Sequence, residues 1–167
     1  QTRPRSSTAL FTTAPTTAMK HLSVANESLL PEVEKLLAEG LHVTLKVKGN
    51  SMLPFIRGGR DSVTLEAPAG ISRGDIVLAR IGKKRYVLHR IIGTKGNTVI
   101  LMGDGNCHGT EQCLRSDICG RVITIVKPHK CISTDSSCMH MAGTVWRLLL
   151  PVRRWLLALY KRTIIDK

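Results

Sequence analysis

The sequence predicts a mainly β protein, with an all-β core over residues 42–128, one short helix before it and an amphipathic helix after it. Three observations predict this. Past Gly40 the apolar residues stop recurring at helical spacing and begin to alternate. Six or so β-rich runs then follow at near-regular intervals, with no helix-length pattern between them. Turn formers punctuate those runs: Gly49, Gly58-Gly59, Pro68, Gly70, Gly82, Gly93, Gly96, Gly103 and Gly105.

Residues 1–25 read as a disordered, leader or expression-derived segment. Positions 1–18 are rich in Ser, Thr, Ala and Pro, carry two Arg and no acid, and lack the apolar run of a secretory signal. Met19 opens a better-patterned sequence. A helix is expected over 26–41: Asn26 or Ser28 can cap it, Pro31 suits its first turn, and Leu29, Leu30, Val33, Leu36 and Leu37 share a face. Gly40 ends it. Strands are expected at Val43–Val47, Ser62–Leu65, Asp75–Ile81, Tyr86–Ile92, Thr98–Met102 and Ile118–Val126. Residues 129–142 read as a linker. Residues 143–167 read as a basic helical tail, with Arg147, Arg154 and Lys161 seven apart on one face and Leu149, Leu150, Leu156, Leu157 and Tyr160 on the other. Pro151 there either starts a helix or kinks a longer one.

Composition narrows the function. In 167 residues, 43% apolar and 22% charged is ordinary globular usage, and no apolar run approaches the roughly 18–20 uncharged residues of a bilayer span. Lys and Arg exceed Asp and Glu by 13, with +8 over residues 42–128 and +5 over 129–167, so acidic partners are favoured. With two Trp, two Tyr and two Phe, the stacking platforms of a single-strand binder are not available. Nucleic acid is the weakest of the acidic partners, because only the net charge points to it. An anionic membrane surface fits the tail, where Trp146 and Trp155 flank a basic face; a helix folded onto the domain or used to dimerise is the plainer alternative. Five cysteines, an odd number with no CxxC pair, read as reduced thiols of a cytosolic compartment. Cys107-His108, His129-x-Cys131 and Cys138-x-His140 fit no standard zinc spacing, so neither a metal nor another cofactor is expected.

Two side chains carry the possible chemistry. Ser51 stands between Gly49 and Pro54 at a strand end, where a constrained loop can expose its hydroxyl. Such a hydroxyl is a poor nucleophile without a base beside it, and by itself Ser51 reads as a turn residue. His89 lies on an alternating run that puts Val87, His89 and Ile91 on one face. A histidine among apolar neighbours is usually a packed core residue, but a neutral imidazole is also the side chain best suited to take a serine proton and return it.

Four fragments in order add specificity: Gly49-x-Ser51-Met52-x-Pro54, Arg73-Gly74-Asp75-Ile76-Val77, Val87-Leu88-His89-Arg90-Ile91-Ile92 and Gly103-Asp104-Gly105-Asn106. In this order and spacing they resemble type I signal peptidases, over residues 43–127. Many bacterial members have Lys where His89 stands, so the chain is more similar to the Ser-His subtype of that family, within a superfamily shared with self-cleaving SOS repressors. Those repressors carry a DNA-binding helix-turn-helix, which has no counterpart in this sequence.

The resemblance implies a signal-peptidase-like fold with Ser51 as nucleophile and His89 as general base. It implies backbone N–H donors at Gly49, Asn50 and Ser51 for the oxyanion, each able to contribute roughly 3 kcal/mol. Met52 and Pro54 would contact substrate. Some members add a hydroxyl donor two residues before the nucleophile, but Gly49 stands there. Asp104 matches the Gly-Asp box. The Asn-rich run and second acid that usually follow are replaced by Asn106-Cys107-His108-Gly109-Thr110-Glu111, so either Asp104 or Glu111 is expected to orient His89.

The expected function is a serine endopeptidase cutting one bond in a leader or precursor peptide, which binds by adding a strand. The expected location is cytoplasmic, peripheral at a membrane if the tail replaces the family's N-terminal anchor. The alternative is a catalytically inactive module that binds a peptide or a membrane partner on the same fold.

Overall fold

The computed structural model describes residues 19–22, 29–82 and 85–165. Its elements in chain order are β1 (Met19–Leu22), α1 (Leu30–Ala38), β2 (His42–Lys46), β3 (Ser62–Glu66), β4 (Ile76–Ile81), β5 (Arg85–Lys95), β6 (Thr98–Met102), β7 (Glu111–Leu114), β8 (Ile118–Lys127), β9 (Lys130–Ser133), α2 (Ser137–Leu148) and α3 (Arg153–Tyr160). The chain is mainly β. Its described strands join one sheet in the order β1-β2-β3-β8-β4-β5-β6-β7, and β9 pairs with β8. β1 runs parallel to β2, and every other pairing is antiparallel.

The sheet curls rather than lying flat. Register shifts at Thr64/Leu65, Leu78/Ala79 and Ile91/Gly93 mark bulges that leave an extra residue in β8, at Ile123 and Cys119, and in β5, at Ile92, and so bend those two strands. Curling gives β4 two buried faces: Ile76 and Leu78 enter a core shared with α1, β2, β3 and β8, whereas Val77 and Ala79 enter a second core with Ile91, Val99 and Leu101. Alternation along β4 therefore fills two cores. β2 and β3 give their apolar residues to the first core alone, and their intervening Thr44 and Thr64 are buried in a 2.9 Å hydrogen bond with each other.

α1 closes the first core with Val33, Leu36 and Leu37. It starts at Leu30 with Pro31 in its first turn, and the expected caps Asn26 and Ser28 lie outside the described residues. The segment 1–25, expected to be disordered or a leader, is corrected over Met19–Leu22, which pairs with β2 as β1; the rest of it lies outside the described residues. Gly40, at φ 79°, ends it: its N–H donates to the Leu37 carbonyl and the Leu41 N–H to that of Leu36, which satisfies two terminal carbonyls.

Past the core the structure corrects two expectations. Residues 129–142 are not a linker, because Lys130–Ser133 folds back on β8 across a tight turn and Ser136 caps α2 through the Met139 N–H. The tail is not one helix from 143 onward. α2 begins six residues earlier, Pro151 lies in the turn after it, and α3 resumes at Arg153. Of the leucines expected on the packed face, only Leu157 is fully buried. Among the described residues no helix is long and apolar enough to cross a membrane.

Candidate active site

Ser51 sits on the loop between β2 and β3, which is held from beneath. Met52, Leu53 and Ile56 are buried, the Leu53 N–H donates to the Asn50 carbonyl at 3.3 Å and the Ile56 N–H to that of Met52 at 3.0 Å. Gly49 turns the chain at φ 72°, and a Cβ on Gly58 would run into the Gly49 backbone. Apolar anchoring thus leaves Ser51 half-buried on a rigid rim. Met52 belongs to the first core at 1% exposure, so its expected contact with substrate is replaced by packing; Pro54 is half-buried.

His89 lies on β5 opposite Val77, at 5% exposure. Val87 and Ile91 pack with the second core while Tyr86 and Leu88 pack with the first, the alternation the sequence predicts. What brings His89 to Ser51 is the Gly103–Asn106 loop after β6. The Gly105 N–H donates to the Ser51 carbonyl at 2.7 Å. A Cβ on Gly103 would lie 2.5 Å from that carbonyl oxygen and 3.0 Å from His89 Nε2. A Cβ on Gly105 would lie 2.5 Å from the Asn50 carbonyl oxygen. Neither glycine is needed for a positive φ, so what their positions require is the absence of a side chain. The imidazole Nε2 and the Ser51 backbone are separated by less than the space of one methyl group and its contacts.

The two candidate acids take different places. Glu111, first residue of β7, brings Oε2 to 3.5 Å from His89 Nδ1, and its Oε1 pairs with Arg85 at 2.8 Å. The His89–Glu111 approach is not a formed hydrogen bond, since neither buried atom has a partner among the described residues. Asp104 does not orient His89. Its carboxylate takes a forked pair of bonds from Arg90, with Nε at 2.9 Å and Nη2 at 2.7 Å, and both groups are buried. Arg90 follows His89 on β5 and so faces the other way. There it also donates to the Gly74 carbonyl at 2.7 Å and stacks 5.2 Å from the centre of the Phe55 ring.

Burial pushes the His89 pKa below its ordinary 6.5, because a charged imidazole loses its hydration there. Glu111 and, at longer range, Asp104 work against that shift, and Arg85 adds to it. The net result is a neutral ring near pH 7 with Nε2 toward Ser51 and Nδ1 toward a carboxylate. A proton on Nδ1 then leaves the Nε2 lone pair free to accept one.

Sequence reasoning gave Arg90, Arg85 and Gly103 no role. Arg90 and Gly103 lay inside quoted motifs, and their function appears only when strand pairing sets Arg90 against Met102, two residues before Asp104. The five cysteines are free thiols, and among the described residues no three His, Cys, Asp or Glu side chains converge to hold a metal ion. A family model described as Peptidase S24-like matches residues 11–123, a span that includes Ser51, His89, Asp104 and Glu111. No curated protein matches the chain.

Proposed function

The chain belongs to the Peptidase S24-like family, within the superfamily of signal peptidases and SOS repressors, and we propose that it is a serine endopeptidase using Ser51, His89 and Glu111. The observation that carries this reading is Gly103. Its missing side chain is what lets His89 Nε2 close over the Ser51 backbone while Nδ1 looks toward Glu111.

In the proposed reaction Ser51 Oγ attacks the scissile carbonyl carbon as its proton passes to His89 Nε2. Glu111, approaching Nδ1, stabilises the imidazolium that forms. Backbone N–H groups at Gly49, Asn50 and Ser51 face the developing oxyanion. Collapse breaks the C–N bond, and His89 returns the proton to the leaving amine. Water then attacks the acyl-enzyme ester with His89 again as base, releasing the carboxylic acid and restoring Ser51. The low pKa of His89 suits it to the first step, since the ring must begin neutral. A histidine where many relatives in the superfamily have lysine supports the Ser-His subtype. The substrate is an extended leader or precursor segment that adds a strand beside the site.

Ser51→Ala and His89→Ala should each abolish cleavage of a precursor peptide, and a β-lactam-like or lipopeptide inhibitor should add its mass at Ser51. Full activity in either variant overturns the pair. A chain that binds the peptide without ever acylating is the inactive binding module instead.

A further inference from the structure

We propose that the outer face of α2 and α3 is a docking surface for an anionic lipid bilayer. Each helix fixes one side to the domain. α2 buries Met139 and Gly143, the latter against the Arg90 guanidinium, and Trp146 Nε1 donates to the Asp104 carbonyl at 2.8 Å. α3 buries Leu157 and Arg153, which at 2% exposure donates to the Asn106 carbonyl at 3.1 Å and the Trp146 carbonyl at 2.9 Å. Both helices are therefore held to the same Asp104–Asn106 loop that shapes the active site.

Their other sides are apolar and open. On α2, Met141, Val145 and Leu148 recur at helical spacing, with Met141 65% and Leu148 74% exposed. On α3 and its N-cap Val152 the stripe continues through Trp155, Leu156 and Leu159, with Trp155 69% and Leu159 62% exposed. Charge selects what covers it. Between Asp135 and Asp166 the chain has five bases and no acid. A second copy would set like charges against like, which disfavours a symmetric dimer through this face. An anionic bilayer offers acyl chains to the stripes and phosphates to Arg154, Lys161 and Arg162. The Arg154 guanidinium, 5.2 Å from the centre of the exposed Trp155 ring, puts a cation and an amphipathic ring together as an interface requires.

The test is co-sedimentation of the full chain with phosphatidylcholine vesicles containing about one-third phosphatidylglycerol, at low salt. Wild type should bind them at least about tenfold more tightly than pure phosphatidylcholine vesicles, and binding should weaken as salt rises. Trp155→Glu with Leu159→Glu, and separately Arg154→Glu with Arg162→Glu, should each lower binding about tenfold or more while circular dichroism and Tm hold. Ser51→Ala should bind like wild type, so the docking is read independently of the peptidase. Wild type left in the supernatant overturns the proposal, as does undiminished binding by the apolar pair. A concentration-dependent dimer that this pair dissolves, without vesicle binding, assigns the face to a second copy instead.

Discussion

His89 and Arg90 are neighbours on one strand, each turned toward a carboxylate, and the two pairs are built in opposite ways. On one face, Arg90 and Asp104 are both buried and joined by a forked ion pair, with Gly74, Phe55 and Gly143 closing around the guanidinium. On the other, His89 and Glu111 approach without completing a hydrogen bond, and Glu111 shares itself with the exposed Arg85. The complete pair has no proton to exchange and no atom left over. The incomplete pair keeps a basic nitrogen free and an acid close enough to respond when that nitrogen charges. On the proposed mechanism the contrast separates framework from chemistry within a single dipeptide, and substitutions on the two faces should fail in different ways.

The largest effect is expected on the framework face. Asp104→Ala leaves Arg90 buried without its counter-ion, a change worth about 3–5 kcal/mol. In a chain of this size that corresponds to a loss of about 6–20 °C in Tm. Thermal unfolding followed by circular dichroism measures it. If Asp104→Ala melts like wild type while losing activity, Asp104 belongs with the catalytic pair and the division drawn here is wrong.

The next effect belongs to the chemical face. Glu111 is partly exposed, so Glu111→Gln should change stability by less than about 1 kcal/mol. Cleavage should fall by about 10–100-fold, because the forming imidazolium loses its carboxylate. The pH profile carries the sign. His89 has a folded-state pKa below 6.5, so activity should be full near neutrality and fall as pH drops through that lowered value. Stability linked to His89 has the same direction: it is present above 6.5 and is lost as pH falls through the folded value. Glu111 opposes the lowering, so removing it should move the acid limb of kcat/KM further down in pH. An acid limb that stays in place, or moves up, dissociates Glu111 from His89.

The fold was legible wherever hydrophobic period was strong. The run predicted at Thr98–Met102 is β6 itself, and those at Val43–Val47, Ser62–Leu65, Asp75–Ile81 and Ile118–Val126 match β2, β3, β4 and β8 to within a residue at either end. Glu111–Leu114 and Lys130–Ser133 were not legible, because four-residue strands with exposed polar positions have too short a pattern to read. Ser51 and His89, the proposed nucleophile and base, could be picked as candidates from their types and order. Choosing between Asp104 and Glu111 could not be done from order alone. Asp104 is nearer to His89 along the chain, but pairing of β5 with β6 sets it beside Arg90, while pairing of β6 with β7 carries Glu111 to the imidazole side. Register decides that assignment, and register is a property of the folded sheet.

The smallest effect tests how tightly the tail is tied to the framework face. Trp146 Nε1 donates to the Asp104 carbonyl, its ring meets Phe55 edge-on at 6.2 Å, and Arg153 lies 5.3 Å from its centre. Trp146→Phe keeps an aromatic ring but removes the N–H, leaving the half-buried carbonyl without that donor. A loss of about 1 kcal/mol is expected, the net worth of one such hydrogen bond. Because Asp104 holds its carboxylate pair through Arg90 and not through this carbonyl, the His89 acid limb should not move. Denaturant unfolding measures the first expectation and the pH–rate profile the second. A shift in the acid limb would mean that the C-terminal helices reach the reacting pair through the Gly103–Asn106 loop, and that framework and chemistry are coupled across β5 after all.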